Sequence, residues 1–529
     1  MPFGVMDLSD LLAWIVGFSC LGLIAQFLWI DRGSGRGWFG VGVGVLLLTL
    51  GGVWLRWRWL TWVGEGAWVL LVLVPAILFV IYHRCQAQQR FAAARRVGLV
   101  IRVFHPADGW REVPELMRAM ELAQRGEQTA ALGIYRRVEE RGGMDALLAA
   151  AQSFRITNRW EEFMEWRRDN LGVDMLHQHP ALLPLVLRGF GETGDPNGMV
   201  AWFEQFQERI ERLPMVARHS CRLTLYAFCG QRAQVEQLLN EALAHLPEDY
   251  QQYWKATAAQ AAGADEEARE WLGRLVTSRD HLVRGAVGWR TEHPLPLASA
   301  LSDAAWLVLR RAERVQVEEE RFNLRSGLWT RRARVTQGLI LANLVMFGVE
   351  MGSGGSMDEP TLARLGALLI PEGAPPGWWW RLGSSLFLHY GAAHLSVNML
   401  ALAWLGPPVE RALGRARYLA LYLLAGIGSG AVVLLLTSNR SLVGASGSIM
   451  ALIGAGAAIT LRGWVREKAR YAARQFLQFI MVIAAQTLFD IFTPQISFLA
   501  HASGLLLGFL IASILPHRGA PAPIHHSSS

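Results

Sequence analysis

Charge is missing from long stretches of this chain. Residues 11–30, 37–55, 66–82, 418–439 and 441–461 hold no Asp, Glu, Lys or Arg. A bilayer core asks for about 20 apolar residues per helical span and admits a charged side chain only for special cause. These gaps therefore exclude an ordinary soluble enzyme and predict membrane helices. Cysteine is scarce as well: Cys20, Cys85, Cys221 and Cys229 are too few and too scattered for a disulfide framework or a zinc site. They are read as reduced thiols with no catalytic role. Basic residues are absent ahead of the first apolar run, where Asp7 and Asp10 stand instead, and a second run follows almost at once. That argues for a retained helix over a signal peptide.

What is present fits the same class. The 529 residues carry 22 Trp, 53 Gly and 52% apolar side chains. The net charge of +7 gathers as arginines at the ends of apolar runs, which membrane topology explains better than nucleic acid does. Three runs fill residues 8–84, and the segment VWLRWRWLTW between the second and third clusters Trp54, Trp57, Trp59 and Trp62 as interfacial anchors. Residues 86–330 then turn polar, with Ala and Leu at helical spacing. Inside this stretch a turn-plus-helix signature recurs at Gly126, Asn158, Gly194, Gly230 and Gly263, in steps of 32, 36, 36 and 33 residues. A period near 34 in a helical segment is that of tetratricopeptide-like helix pairs, each burying its apolar face on the next. An irregular bundle is the competing description.

Apolar runs return near 335–350, 384–405, 418–438, 444–461, 475–492 and 497–515. The expected fold is all-α: a polytopic membrane protein with three N-terminal spans (1–85), a soluble α-solenoid-like domain (86–330), a six-span core (331–516) and a disordered tail (517–529). Basic clusters at Arg331, Arg332 and Arg334, at Arg411, Arg415 and Arg417, and from Arg462 to Arg474 all fall on one side, which predicts a cytoplasmic helical insert and an outer N-terminus.

Ser446 sits among small residues in LVGASGSIMALIGAG, which taken alone reads as a helix-packing seam. His501, within ISFLAHASGLLLGFLIAS, changes that, because an imidazole in an apolar span calls for a polar partner. A serine hydroxyl needs a base, and imidazole has a suitable pKa. Gly504 and Gly508 follow on the histidine's side of the helix and allow close packing. A third cluster, SSLFLHYGAAHLSVNML, supplies His389, His394 and Asn398, the last two sharing one helix face. An Asn amide, a His ring and the nucleophile's own N–H can form an oxyanion hole. A metal site is disfavoured, since no Cys, Asp or Glu except Asp490 accompanies these residues in the membrane.

The segments WWWRLGSSLFLHYGAAHLSVNML, GPPVERALGR, GASGSIMALIGA and AHASGLLLG resemble, in order, the four signatures of rhomboid intramembrane proteases. The resemblance covers roughly 335–515. It implies Ser446 as nucleophile, His501 as base of a Ser-His dyad without an acid, and His394 with Asn398 as oxyanion donors. It also implies supporting places for His389, Gly444, Gly447, Met450 and Gly504, and a structural part for Glu410 and Arg411. Two positions depart from the family pattern: Met450 replaces an aromatic ring that often packs on the histidine, and Ser503-Gly504 replaces a glycine pair.

The expected function is hydrolysis of peptide bonds in or near transmembrane segments, with no cofactor and no metal. The expected setting is a plasma membrane, as in a bacterial inner membrane. The partners would be transmembrane substrates, the bilayer, and a soluble protein on the helical insert, with no nucleic acid. The glycine-rich stretch 351–380, with Pro371, Pro375 and Pro376, is a candidate gate or membrane-dipping loop. A catalytically silent client binder of the same fold, or a scaffold merely anchored in the membrane, are the alternatives.

Overall fold

The computed structural model describes residues 8–29, 35–322, 333–369, 377–437, 441–493 and 497–516. Among them the chain is helical throughout, apart from one two-residue antiparallel pair. Two compact units emerge, Ile15–Glu313 and Arg314–Ser529, the latter joined by Met1–Trp14. The terminal tail 517–529 lies outside the described residues.

In the second unit, six helices carry the apolar runs: α1 (Arg334–Gly352), α2 (Ala392–Leu413), α3 (Arg415–Leu436), α4 (Ser446–Glu467), α5 (Arg470–Phe492) and α6 (Phe498–Ile514). Helix α4 forms the centre, buried along nearly its whole length, because Gly447, Gly454 and Gly456 let neighbours approach. Helix α6 packs against it through small residues: a Cβ on Gly504 would overlap the Gly447 carbonyl, and one on Gly508 would overlap that of Ala451. Without a hydrophobic drive between helices in lipid, such close backbone contact supplies the packing energy. Helix α5 keeps Leu477, Ile480, Met481 and Ile491 on an exposed outer face, as a lipid-facing helix would.

Polar groups fasten the helix ends. The Glu410 carboxylate accepts hydrogen bonds from Val335 N (3.0 Å), Thr336 N (2.9 Å) and Thr336 Oγ1 (2.8 Å), closing the N-terminus of α1. First-turn amides of a helix have no acceptor of their own, and a carboxylate there also complements the dipole. At the opposite terminus of α6, the Arg462 guanidinium donates to Leu515 O (3.1 Å), Ala512 O (3.0 Å) and Ser513 O. Glu410 and Arg462 thus supply the end groups that the two apolar helices cannot pair internally.

Among the described residues, six helices are long and apolar enough to cross a bilayer: Arg36–Trp54, Arg58–Ala87, α1, α3, α4 and α5. Helix α2 reaches that length only together with Trp378–Phe387, from which it is bent by 78°. Leu12–Ala25 and α6 are shorter apolar helices. At 17 residues α6 is about 25 Å long, slightly under the thickness of a hydrocarbon core. The chain is a multi-pass membrane protein; among the described residues three apolar helices precede the polar stretch and six follow it.

In the first unit, the Trp cluster lies at the turn between Arg36–Trp54 and Arg58–Ala87, and Trp54, Trp57, Trp59 and Trp62 are all exposed. Arg58–Ala87 runs on through a five-residue π-helical segment, Val69–Leu73, so the third apolar run belongs to a helix well longer than the run itself. Within this π turn the carbonyl of Leu71 pairs with His105 Nε2 at 3.0 Å.

Five helix pairs follow: Val113–Gln124 with Gln128–Arg141, Met144–Thr157 with Trp160–Asn170, Leu183–Glu192 with Pro196–Arg212, Met215–Phe228 with Arg232–Asn240, and Glu248–Ala261 with Asp265–Leu275. Their tight turns fall at Gly126, Asn158, Gly194, Gly230 and Gly263, every one at positive φ. That backbone region disfavours side chains with a Cβ, and glycine or asparagine adopts it at least cost. Helix His281–Glu292 then packs back on the first helices, with Gln124 Nε2 donating to Asp280 Oδ2 at 2.7 Å. In the interior, Glu192 joins Arg188, Arg290 and Tyr253 in a buried cluster.

Candidate active site

Helix α4 begins at Ser446, which is only partly buried. The preceding Gly444 has φ +115 and lies under two side chains of α2: a Cβ there would meet His394 Cε1 at 2.8 Å, His394 Nε2 at 2.9 Å and Asn398 Nδ2 at 3.5 Å. Glycine is required at this point both for the backbone angle and for the room. The loop is further held by Gly444 N, which donates to Ser385 O at 2.9 Å, and by the antiparallel pairing of Leu368–Leu369 with Ser441–Leu442.

Asn398 is buried, and its Nδ2 has no protein partner. A buried amide donor without an acceptor is costly, so a site that meets a developing negative charge gives it a use. Helix α4 starts directly after this loop, with Ile449 N pairing back to Ala445 O at 3.0 Å, so its N-terminal, positive dipole end lies at the loop. The His389 and His394 rings lie edge to face at 5.2 Å, and His389 N donates to the Glu350 carboxylate at 2.9 Å. Glu350 is fully buried on α1, a placement that sequence alone does not mark. Its only signal there is a carboxylate inside an apolar run.

His501 stands in the first turn of α6, 7% exposed. It precedes Gly504 by one turn, and Gly504 touches Gly447, the neighbour of Ser446. The serine and the histidine therefore occupy the same end of the α4/α6 seam, opposite the Arg462–Arg470 connection between α4 and α5. His501 Nδ1 lies 2.9 Å from Asp490 Oδ2 on α5. The resemblance implied a base with no acid behind it, whereas the structure sets one carboxylate on its Nδ1 side.

The supporting positions divide. Gly444, Gly447 and Gly504 are close-approach points. Met450 is buried with Ile453, Ala457 and Phe479 between α4 and α5. Of the glycine-rich stretch proposed as a gate, residues 370–376, with Pro371, Pro375 and Pro376, lie outside the described residues. The part that is described is fastened: Arg381 Nη1 donates to Ala363 O and Ala367 O at 2.7 and 2.8 Å, and Ser384 Oγ donates to Gly366 O at 2.7 Å. No cluster of three His, Cys, Asp or Glu suited to a metal occurs among the described residues.

The helical core thus sets a partly open serine at one helix N-terminus, with imidazole and amide groups around it. Comparison with known proteins shows what the chain is similar to. Residues 376–518 match the Rhomboid domain. The chain is 29% identical over 329 residues to the Rhomboid protease GluP of Bacillus subtilis, covering 61% of this chain and 60% of that protein. It is 36% identical over 161 residues to RHOMBOID-like protein 5 of Arabidopsis thaliana, 30% of this chain and 50% of that one. Over 209 residues it is 29% identical to the Rhomboid protease AarA of Providencia stuartii, 35% of this chain and 74% of that one. The chain spans between half and three fifths of the length of the first two relatives. It carries a rhomboid domain, and its relatives include named rhomboid proteases.

Proposed function

We propose that the protein is an intramembrane serine endopeptidase that cleaves other membrane proteins in or near their transmembrane segments, with Ser446 as nucleophile and His501 as general base. The observation that carries this reading is the backbone contact of Gly447 with Gly504, which fixes Ser446 and His501 at one end of a tightly packed pair of helices. The Ser446 Oγ–H proton passes to His501 Nε2 as Oγ attacks the scissile carbonyl. The resulting oxyanion is met by Asn398 Nδ2, His394 and the Ser446 amide. His501 returns the proton to the leaving amine, and water then cleaves the acyl-enzyme with the same residue as base. Such a substrate segment must leave its helix first, since a helical carbonyl is already hydrogen-bonded.

Residues 86–330 are proposed as a cytoplasmic, tetratricopeptide-like domain that meets a soluble protein partner. The period near 34 and the five helix pairs support it, as do the basic flanks that favour an inner side for its ends. A plasma membrane of the bacterial kind is the proposed setting.

The test is cleavage of a transmembrane reporter in liposomes by the wild type, Ser446→Ala and His501→Ala, with a fluorophosphonate probe in parallel. Loss of cleavage in both variants and loss of labelling in Ser446→Ala is the expected result. A folded wild type that neither cleaves nor takes the probe would favour the silent client binder.

A further inference from the structure

A buried carboxylate in an apolar helix is expensive unless it is paired, and Asp490, 4% exposed near the end of α5, has two partners. Its Oδ2 faces His501 Nδ1 at 2.9 Å. Its Oδ1 accepts a hydrogen bond from Gln486 Nε2, one turn back on α5, at 2.8 Å. An ionised carboxylate only accepts, so the proton on the imidazole sits at Nδ1, which leaves the Nε2 lone pair for a hydroxyl proton. We infer that Asp490 is a positioning residue for the proposed reaction: it selects the Nδ1–H tautomer of His501, with Gln486 fixing which way the carboxylate turns. The inference rests on the reading of His501 as the base.

The same contact ties α5, otherwise exposed on its outer face, to α6 beside the site. As proton transfer makes His501 an imidazolium, the carboxylate behind it balances the new charge with no reorganisation of solvent. Asp490 itself gains no proton and touches no substrate.

Geometry makes the amide variant informative. With the Gln486 amide held as it stands, its Nε2 still claims the side-chain oxygen in Asp490→Asn, so the new Nδ2 points at His501 Nδ1 and donates to it. The imidazole proton is driven to Nε2, the nitrogen proposed to take the Ser446 proton, and the base is disabled with almost no change of shape. Adding Gln486→Leu removes the donor, lets the asparagine turn over, and allows its oxygen to accept from Nδ1–H again.

The experiment is reporter cleavage in liposomes by the full chain, with kcat and KM resolved and thermal unfolding as a fold control, for wild type, Ser446→Ala, Asp490→Asn, Gln486→Leu and the Asp490→Asn, Gln486→Leu pair. Asp490→Asn is expected to lower kcat by about 100-fold or more with KM little changed. Gln486→Leu alone should stay within a few-fold of wild type, and the pair should recover at least about tenfold of the lost kcat. A kcat near wild type in Asp490→Asn, or no recovery in the pair, overturns the positioning role while an inactive Ser446→Ala leaves the protease reading standing. Cleavage that survives Ser446→Ala overturns the protease reading and this inference with it.

Discussion

Replacing Gly504 by alanine tests whether the α4/α6 seam sets the site. A Cβ at this position would lie 3.0 Å from the Gly447 carbonyl carbon, 3.2 Å from its Cα, and closer still to its oxygen. Ordinary carbon contacts begin near about 3.5 Å, so the two helices must separate by roughly 0.5–1 Å. Overpacking of this kind costs about 1–3 kcal/mol, and the alanine returns about 1 kcal/mol in helix propensity, so the net loss of stability stays small. The proposed reaction suffers more, because a displacement near 1 Å between reacting groups costs on the order of 100-fold in rate. Gly504→Ala should therefore keep most of its thermal stability in detergent and lose reporter cleavage. Gly348→Ala on α1 is the control: nothing lies within 4 Å of the added methyl. It should leave cleavage unchanged and stability equal or higher. Cleavage by Gly504→Ala within twofold of wild type would refute the argument that backbone contact at this seam fixes the geometry.

Within the helical insert, Glu192→Ala should destabilise by about 3–5 kcal/mol, because the Arg188 and Arg290 guanidinium groups stay buried without their carboxylate; chemical unfolding followed by tryptophan fluorescence reads this out. Glu410→Ala removes the acceptor of three hydrogen bonds at the start of α1. At about 1 kcal/mol or more for each bond to a charged acceptor, a loss of a few kcal/mol is expected, visible as a lower unfolding temperature in detergent. Burial pushes the thiols of Cys221 and Cys229 up to about 12. Both therefore remain neutral at pH 8 and should resist maleimide until the protein is denatured, with mass spectrometry locating the adducts; rapid native labelling of either would contradict their burial.

Long charge-free runs determined by themselves that the chain crosses a membrane repeatedly, since no folded arrangement makes a charge cheap in hydrocarbon. The turns of the helical insert were equally local: Gly126, Asn158, Gly194, Gly230 and Gly263 were marked by spacing, and each adopts positive φ because so few residues can. The candidate residues Ser446, His501, His394 and Asn398 were legible as polar groups stranded in apolar segments. Which of them face one another was decided only by tertiary structure. Periodicity gives a helix its faces but not its rotation or its crossing point, so nothing in sequence showed that Asn398 lies over Gly444 or that Glu350 holds the His389 amide. Asp490 shows the limit well: it is visible in sequence as an acid in an apolar run, yet its 11-residue separation from His501 spans the break between α5 and α6. Only the packing of those two helices turns an isolated carboxylate into the partner of an imidazole.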